Sequence, residues 1–253
     1  MPRMLIAEPL RISPFWRALG DFFFPPKCPL CGESLGENPD DRPCPLCLAE
    51  IKFFSHPRCP RCGLGFGETP GEDHLCSGCL TEERYFTMAR ALGPYEGLMV
   101  EAISRFKYQG ASRLAKPLGT LLAEYKDPDF PFSGFDLILA VPLHRQRLRQ
   151  RGFNQSLLLA RRISRRHSIP LDFTALQRTR PTQPQTQLSG SERQKNIRGA
   201  FEVRAPEATR DKQILLIDDV FTTGATVQEC SKVLLKAGAK RVDVLTLARA
   251  LRP

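Results

Sequence analysis

The sequence predicts an α/β protein whose main domain is a parallel sheet flanked by helices, preceded by a small cysteine-rich module. Two strongly apolar runs, Phe135–Val141 and Ile214–Ile217, each lead into a polar loop, as strands buried on both faces do. Each loop is followed by a segment with helical periodicity, which is typical of βα units. Four Cys-x-x-Cys pairs between Cys28 and Cys79 mark the separate module.

Length and charge limit the possible classes of protein. A chain of 253 residues can hold one α/β domain and a small second one. The net charge of +10 favours anionic partners such as polyphosphates or nucleic acid. Taken by itself, however, the charge is explained better by a basic surface that is simply solvated. No apolar run approaches the ~20 residues of a transmembrane segment. Because Met1–Phe24 lacks the features of a signal peptide, we expect a cytoplasmic protein.

Residues 1–24 form the first predicted segment, with an amphipathic helix at Pro14–Phe24 that ends at Pro25 and Pro26. Its aromatic side chains lie near one face. We expect this face to pack on the cysteine-rich module, with contact to a partner or a membrane surface as the alternatives.

Residues 25–82 form the second segment, which we interpret as a double zinc ribbon. Two residues separate the cysteines of each pair, so both thiolates can reach one tetrahedral Zn²⁺. A spacer of 12 residues (32–43) separates the first two Cys-x-x-Cys pairs, and one of 13 residues (63–75) separates the last two, as expected for a duplicated unit. Sequential pairing predicts two structural zinc sites, and interleaved pairing stays open. The sequential sets are Cys28, Cys31, Cys44 and Cys47, and Cys59, Cys62, Cys76 and Cys79.

Residues 83–253 form the α/β domain. Its first part predicts a strand at Tyr85–Leu92 and helices at Leu98–Phe106 and Leu114–Tyr125, which we interpret as a helical lid. Lys107 and Tyr108, in the turn between these helices, face either the substrate or solvent.

A basic loop follows the strand Phe135–Val141 and precedes a predicted helix at 154–167. A strand that ends in such a loop is well placed to hold a diphosphate. Between Arg145 and Arg180 there are ten arginines and a single acid, Asp172, which indicates a polyanion surface wider than one small ligand. The loop residues with this predicted role are Pro142, Leu143, His144, Arg145 and Arg147.

Residues 177–200 are rich in Thr, Gln and Pro and show no strong periodicity until Ser191. A long irregular segment inside a compact domain is usually functional or disordered. We interpret it as a functional loop, with a plain linker as the alternative.

The stretch Ile214–Thr226 carries the candidate binding chemistry. An apolar strand leads into Asp218 and Asp219, and a loop of small and hydroxyl residues then precedes a helix at 225–237, with Thr223 or Thr226 as its predicted cap. The N–H groups and dipole of a helix N-terminus attract anions. Carboxylates beside such an anion site suit a sugar phosphate. A last strand is predicted at Arg241–Ala248, and Cys230 is predicted to be a small core residue.

This stretch resembles the phosphoribosyl pyrophosphate (PRPP) motif of type I phosphoribosyltransferases. The resemblance implies that fold, with PRPP and Mg²⁺ as ligands. It implies that Asp218 and Asp219 are the catalytic pair on the ribose hydroxyls, and that residues 177–200 close over PRPP. Arg145, Arg147 or Arg193 would neutralise the leaving pyrophosphate. The 5-phosphate would lie on Thr222, Thr223, Gly224, Ala225 and Thr226.

One position departs from the purine-salvage members of that family. They carry a carboxylate three residues after the second acid, and Thr222 stands there in this chain. The departure argues against purine salvage and leaves the acceptor open.

The order of the motifs resembles the ComF/GntX family. The segments that carry this resemblance are Cys28–Cys79, Arg151–Gln155, Gln187–Phe201 and Ile214–Thr226. The family implies a role in natural transformation, in handling incoming single-stranded DNA with other DNA-uptake proteins at the inner membrane. Two functions follow: a PRPP-dependent pentosyl transferase with an unknown acceptor, or a non-catalytic single-stranded DNA-binding competence factor.

Overall fold

In the residues that the computed structural model describes (27–35, 42–67, 70–108, 112–182 and 190–251), a five-stranded parallel sheet forms the centre of the fold. Its strands stand in the order β1-β7-β6-β2-β3. A separate antiparallel pair joins β4 to β5. The strands are β1 (Met88–Pro94), β2 (Leu137–Ala140), β3 (Leu171–Asp172), β4 (Leu176–Arg178), β5 (Phe201–Val203), β6 (Gln213–Phe221) and β7 (Arg241–Arg249).

Helices cover both faces of the sheet and cap the cysteine-rich module. Short 3₁₀ turns at Ser112–Leu114 and Phe132–Gly134 lie between them. The helices are α1 (Pro45–Glu50), α2 (Ser77–Thr81), α3 (Gly97–Tyr108), α4 (Ala115–Ala123), α5 (Arg145–Arg151), α6 (Gln155–His167), α7 (Gly190–Ile197), α8 (Pro206–Thr209) and α9 (Ala225–Lys236).

The predicted parallel sheet with flanking helices is confirmed. β2, β6 and β7 arise where the apolar runs predict strands, and α3, α6 and α9 where the periodicity predicts helices. The predicted N-terminal helix of residues 1–24 lies outside the described residues. Within the described ranges, none of the helices is long and apolar enough to cross a membrane.

Two predictions for the α/β domain are wrong. The helix at Leu114–Tyr125 is not part of a lid: α4 is buried along Leu118 and Leu122, which belong to the core. The basic loop after β2 is largely helical, because α5 forms across Arg145–Arg151. Its seven residues offer no apolar stripe, so the sequence carried no periodic signal for it.

The closing-loop segment 177–200 is more ordered than predicted at its two ends. Its first residues belong to β4, which pairs with β5 beyond the segment through Arg178 and Phe201. Its last part forms α7. Residues 183–189 lie outside the described residues.

The sheet divides the core into two clusters. Leu215 and Ile217 of β6 belong to the first cluster, together with α4 and α6. Ile214 and Leu216 point to the opposite face and belong to the second cluster, together with α9. This alternation is the two-residue period of a strand buried on both sides.

Each cysteine group belongs to a different cluster. Cys28, Cys44 and Cys47 lie in the first cluster, whereas Cys59 and Cys62 lie in the second. The two halves of the cysteine-rich module therefore pack into opposite sides of the α/β core.

A buried charge network joins the module to the domain. Asp127 pairs with Arg58 of the module at 2.7 Å and with Nε of Arg90 on β1 at 2.8 Å. The hydroxyl of Tyr125 donates a hydrogen bond to the same carboxylate at 3.0 Å. Burial alone would raise the pKa of Asp127, but the hydrogen bond from Arg90 and the charge of Arg58 lower it below its usual value. The carboxylate therefore stays ionised between two buried guanidinium groups.

Replacing Asp127 with Asn should strongly destabilise the protein, because both arginines would be left buried without a counter-charge. We expect a loss of about 3–5 kcal/mol in the free energy of unfolding, measured by urea denaturation. Glu124→Gln is the matched control, since it removes the exposed ion pair with Arg42 between the same two parts of the chain. That control should cost less than about 1 kcal/mol. Equal losses in both variants would contradict the assigned role of the buried network.

Candidate functional site

A cavity of about 180 Å³ lies at the carboxyl ends of the neighbouring strands β2 and β6. Ligands bind at this edge in open α/β sheets, because helix N-termini and loops converge there. β6 contributes Asp218 and Asp219, and Val141 after β2 forms the facing wall. The cavity is therefore built by the two strands that the sequence predicts.

The two carboxylates have different partners. Asp218 accepts hydrogen bonds from the hydroxyl of Ser156 at 2.9 Å and from the backbone N–H of Asp219 at 2.9 Å. Asp219 pairs with Nζ of Lys107 at 2.9 Å. Lys107 belongs to α3 and not to a turn as predicted, and of the two predicted directions it faces the cavity and not solvent.

Burial and proximity shift the protonation of this group. Burial raises the pKa of Asp218 to about 7, and the negative charge of Asp219 adds to the rise. Burial opposes the charge on Lys107, but its contacts with Asp219 raise its pKa above the ordinary value. The three side chains form a compensated cluster in which Lys107 stays charged and Asp218 can carry a proton near neutral pH.

The loop after β6 and the start of α9 line the same cavity. Gly224 occupies the N-cap position of α9, with φ of 80°, so neither predicted threonine stands at that position. Thr223 still contributes to the helix start, because its Oγ1 accepts a hydrogen bond at 3.3 Å from the N–H of Ala225, the first residue of the helix. The predicted loop residues that line the cavity are Thr222, Gly224, Ala225 and Thr226.

The predicted diphosphate loop is divided between two adjacent cavities. Leu143 and Arg147 line the main cavity, and His144 and Arg147 line a neighbouring one of about 200 Å³. His144 also caps α5, with Nδ1 accepting a hydrogen bond from Gln146 N at 3.3 Å. Pro142 and Arg145 line neither of these two cavities. The side chain of Arg193 lies outside the described part of the structure.

Sequence reasoning missed several residues of the site. Gln155 and Ser156 are polar yet 1% and 4% exposed, at the start of α6. Two polar residues on the buried side of a helix were the signal that could have identified them. Arg178 lines both cavities from β4, and only the tertiary pairing of β4 with β5 brings it there.

The cysteines form two groups of four. Within each group the Sγ atoms lie within 4.8 Å of one another, and the groups are the sequential sets. The Sγ atoms of Cys28 and Cys47 are 3.8 Å apart, and those of Cys62 and Cys76 are 3.5 Å apart. A tetrahedral zinc site with Zn–S bonds of about 2.3 Å requires separations of about 3.8 Å. The sequential pairing is confirmed, and interleaving is wrong.

Two family models match the chain, one over the cysteine-rich module and one over the α/β domain. Residues 19–80 match a double zinc ribbon domain, and residues 154–252 match a phosphoribosyl transferase domain. The DNA utilization protein YhgH of Shigella flexneri is 34% identical over 179 residues, which cover 70% of this chain and 78% of that one. This chain belongs to the ComF family.

Two further relatives support the assignment to the ComF family. Competence protein F of Haemophilus influenzae is 32% identical over 186 residues, covering 69% of this chain and 78% of that protein. Competence protein ComFC of Streptococcus pneumoniae is 32% identical over 164 residues, covering 63% and 67%. The type I phosphoribosyltransferase fold and two four-cysteine zinc sites are thus features of this ComF-family protein.

Solved structures resemble the chain more distantly. A glutamine PRPP amidotransferase from B. subtilis is 20% identical with a TM-score of 0.36, and the match covers 54% of this chain and 26% of that enzyme's length. A purine phosphoribosyltransferase from Pyrococcus horikoshii is 16% identical with a TM-score of 0.31, covering 59% and 83%.

The raised pKa of Asp218 predicts a pH-dependent stability. The folded protein holds a proton at Asp218 that the unfolded chain, with an aspartate pKa of about 3.9, has already lost. This contribution is complete below the unfolded-state pKa and disappears as pH rises through about 7. Relative to Asp218→Asn, the wild type should lose at most about 1.4 kcal/mol per pH unit between pH 5 and 7. Urea unfolding at several pH values measures the difference.

The exposed carboxylate of Asp129 provides the control for that measurement. The curve of Asp129→Asn should run parallel to that of the wild type. If the curve of Asp218→Asn is parallel as well, Asp218 does not titrate as described.

Proposed function

We propose that this ComF-family protein binds PRPP in the cavity at the ends of β2 and β6. The observation that carries the proposal is that one cavity contains both the carboxylate pair and the N-terminus of α9. Asp218 and Asp219 would hold the ribose hydroxyls. The backbone N–H groups of Thr222–Thr226 would hold the 5-phosphate, because a helix N-terminus combines free donors with a positive dipole.

The diphosphate part of PRPP would lie against the cationic wall. Arg147, Arg151 and Arg178 line the main cavity together with the carboxylates. Guanidinium groups bind phosphate oxygens through paired hydrogen bonds, which suits a diphosphate. Of the remaining predicted residues, His144 faces the adjoining cavity, and Arg145 lies on α5 outside the lining of both cavities. Arg193 would approach with the closing loop.

Mg²⁺ would bind together with PRPP at the same site, because carboxylates and substrate phosphates are the ligands that it takes in proteins. Asp218 and Asp219 would orient the ion, which would supply positive charge to the ribose hydroxyls and diphosphate oxygens.

If the protein is an enzyme, the reaction is pentosyl transfer. The bond from C1 of the ribose to the pyrophosphate oxygen breaks, a bond from C1 to the acceptor forms, and pyrophosphate and the acceptor's proton are released. Catalysis would consist of positioning and charge stabilisation, supplied by the carboxylates at the ribose and the arginines at the leaving group. Thr222 lines the cavity where purine-salvage enzymes carry a carboxylate, so the proposed acceptor is not a salvaged purine.

We also infer a role with single-stranded DNA. The relatives are named competence and DNA utilization proteins. The ten arginines between Arg145 and Arg180 separate into distinct groups: three line the cavity, Arg162 packs on α4 through Thr120, and Arg180 donates hydrogen bonds to the carbonyls of Asn196 and Arg198. Five are exposed along α5 and α6, where phosphate contacts would track a strand. These are Arg145, Arg149, Arg161, Arg165 and Arg166.

An exposed aromatic side chain near the basic helices supports this inference. Phe153 packs against Phe106 with ring centroids 5.7 Å apart, whereas Phe173 is 62% exposed directly after β3 and available to stack on a base. We propose that the protein acts in the cytoplasm, held at the inner membrane through DNA-uptake partners.

Removing both charges of the carboxylate pair should abolish PRPP binding. We expect Asp218→Asn with Asp219→Asn to lower the affinity measured by calorimetry at least about 100-fold, because the ribose would lose two charge-assisted hydrogen-bond sites. Asp211→Asn is the matched control, as it removes one exposed carboxylate outside the cavity lining and keeps a residue tolerant of positive φ. Unchanged affinity in the double variant would refute the proposed site. Pyrophosphate release with candidate acceptors then separates an enzyme from a binding protein.

The exposed arginines should make DNA binding salt-dependent. Each phosphate contact to single-stranded DNA contributes about 0.7 to the slope of log affinity against log salt. Arg161→Gln with Arg165→Gln should reduce that slope by about 1.4 in fluorescence titrations with an oligonucleotide. Lys236→Gln with Lys240→Gln, on the opposite side of the sheet, should leave it unchanged. A slope that is flat in the wild type, or identical in both variants, would exclude this face.

A further inference from the structure

The segment Arg151–Ser156 joins α5 to α6 and reaches the candidate site at both of its ends. Arg151 lines the main cavity, and the hydroxyl of Ser156 donates the hydrogen bond that Asp218 accepts. Between these ends lies Gln155, which makes none of the proposed contacts with PRPP. It is nevertheless only 1% exposed, so its polar side chain is held inside the protein for another reason.

Both ends of the Gln155 amide are engaged by other groups of the site. Its Oε1 accepts a hydrogen bond from Nη1 of Arg151 at 2.8 Å, and its Nε2 donates one to the backbone carbonyl of Phe106 at 3.4 Å. A guanidinium group can only donate and a carbonyl can only accept, so these two partners together require an amide. Gln155 therefore links Arg151 to the backbone of α3.

The carbonyl that Gln155 holds belongs to the residue before Lys107. Both residues lie in the last turn of α3, and Nζ of Lys107 pairs with Asp219 at 2.9 Å. Phe153 strengthens the connection, because its ring packs against that of Phe106 with centroids 5.7 Å apart. The segment is thus tied to the helix end that offsets the charge of the carboxylate pair.

Asn154 ties the same segment to the sheet. Its Nδ2 donates a hydrogen bond at 3.0 Å to the carbonyl of Val141, directly after β2. Its Oδ1 accepts one at 3.4 Å from the N–H of Leu157, as the N-cap of α6. Side chains that are locked by supporting hydrogen bonds and packing preorganise a site for its ligand. The segment therefore connects β2, α3 and α6 around the cavity.

We propose that the segment Arg151–Ser156 sets the separation between the cationic wall (Arg147, Arg151 and Arg178) and the carboxylate pair, with Gln155 as its positioning residue. PRPP joins ribose and diphosphate at C1, so both parts can be held at once only where that separation is correct. This inference rests on the proposed function.

The neutral amide of Gln155 matters for the same reason. An amide oxygen orients a guanidinium group without offsetting its charge, whereas a carboxylate at that position would form an ion pair with Arg151. Gln155 therefore favours ligands that carry a diphosphate beside the ribose over ligands that carry the ribose phosphate alone.

Calorimetry with PRPP and with ribose 5-phosphate, both with Mg²⁺, tests this role because the second ligand has no diphosphate. Gln155→Met should weaken PRPP about tenfold, as expected when one charge-assisted hydrogen bond is lost, and ribose 5-phosphate less than about twofold. Gln155→Glu is the second variant. It keeps an acceptor for Arg151 but offsets the charge, so it should also weaken PRPP more than ribose 5-phosphate.

A double-mutant cycle shows whether Gln155 acts through Arg151. In the background of Arg151→Met, adding Gln155→Met should weaken PRPP by less than about a further twofold, because the group that Gln155 orients is already absent. Equal losses in the two backgrounds would mean that the residues act independently and would overturn the proposal. The cycle uses PRPP alone, so it also decides the role if ribose 5-phosphate binds too weakly to measure.

Gln228→Met is the matched control. The amide of Gln228 also has two backbone partners, since it donates to the carbonyl of Glu83 at 2.6 Å and accepts from the N–H of Tyr85 at 3.0 Å. It lies outside the described lining of the main cavity. The control should lower stability and leave the ratio of the two affinities unchanged.

Three further results would contradict the proposal, and they differ in what else they overturn. If the Gln155 variants weaken both ligands equally, the residue has only a structural role. If Gln155→Met leaves the affinity for PRPP unchanged, the positioning role fails and the PRPP site stands. If the wild type does not bind PRPP, the proposed function fails, and the role of Gln155 fails with it.

Discussion

The candidate site depends on keeping two adjacent carboxylates at a buried sheet edge. Asp218 and Asp219 sit near the end of β6, where burial disfavours two negative charges. Lys107 from α3 and Ser156 from α6 offset this cost, so elements far apart in the sequence must converge on β6. The packing of α3 and α6 on one face of the sheet is what brings them there. A sugar with adjacent hydroxyls suits the same carboxylates.

The cysteine-rich module is integrated into this arrangement rather than appended to it. Its first half enters the core on the side of α4 and α6, and its second half enters on the side of α9. Asp127, between Arg58 and Arg90, fixes the module to β1 through charges that are buried on both sides of the contact. Because such a network tolerates little movement, the zinc centres hold a defined position relative to the sheet.

The arginines that follow β2 in the sequence occupy different environments in the folded protein. In the sequence they form one basic stretch after β2, with Asp172 as its only acid. In the structure, Arg147 and Arg178 face the cavity and Arg162 stabilises the contact with α4, while Arg161 and Arg165 face solvent. The cavity group suits a small polyphosphate, and the exposed group suits an extended polyanion. Within α6, helical geometry separates Arg162 from Arg161 and Arg165, because residues one position apart point in different directions.

The sequence by itself determined the strands β2, β6 and β7, the zinc-binding cysteines and the acidic motif, because each depends on local periodicity or spacing. Asp218 and Asp219 could be identified because two acids directly follow an apolar run, although β6 continues beyond them to Phe221. Only the tertiary structure decided that Lys107 pairs with Asp219, that Arg178 enters the site from β4, and that the cysteines pair sequentially. It also decided that Gly224, and not a threonine, is the N-cap residue of α9. These features depend on contacts between distant segments, and no local pattern in the chain encodes which buried charges or rings will meet.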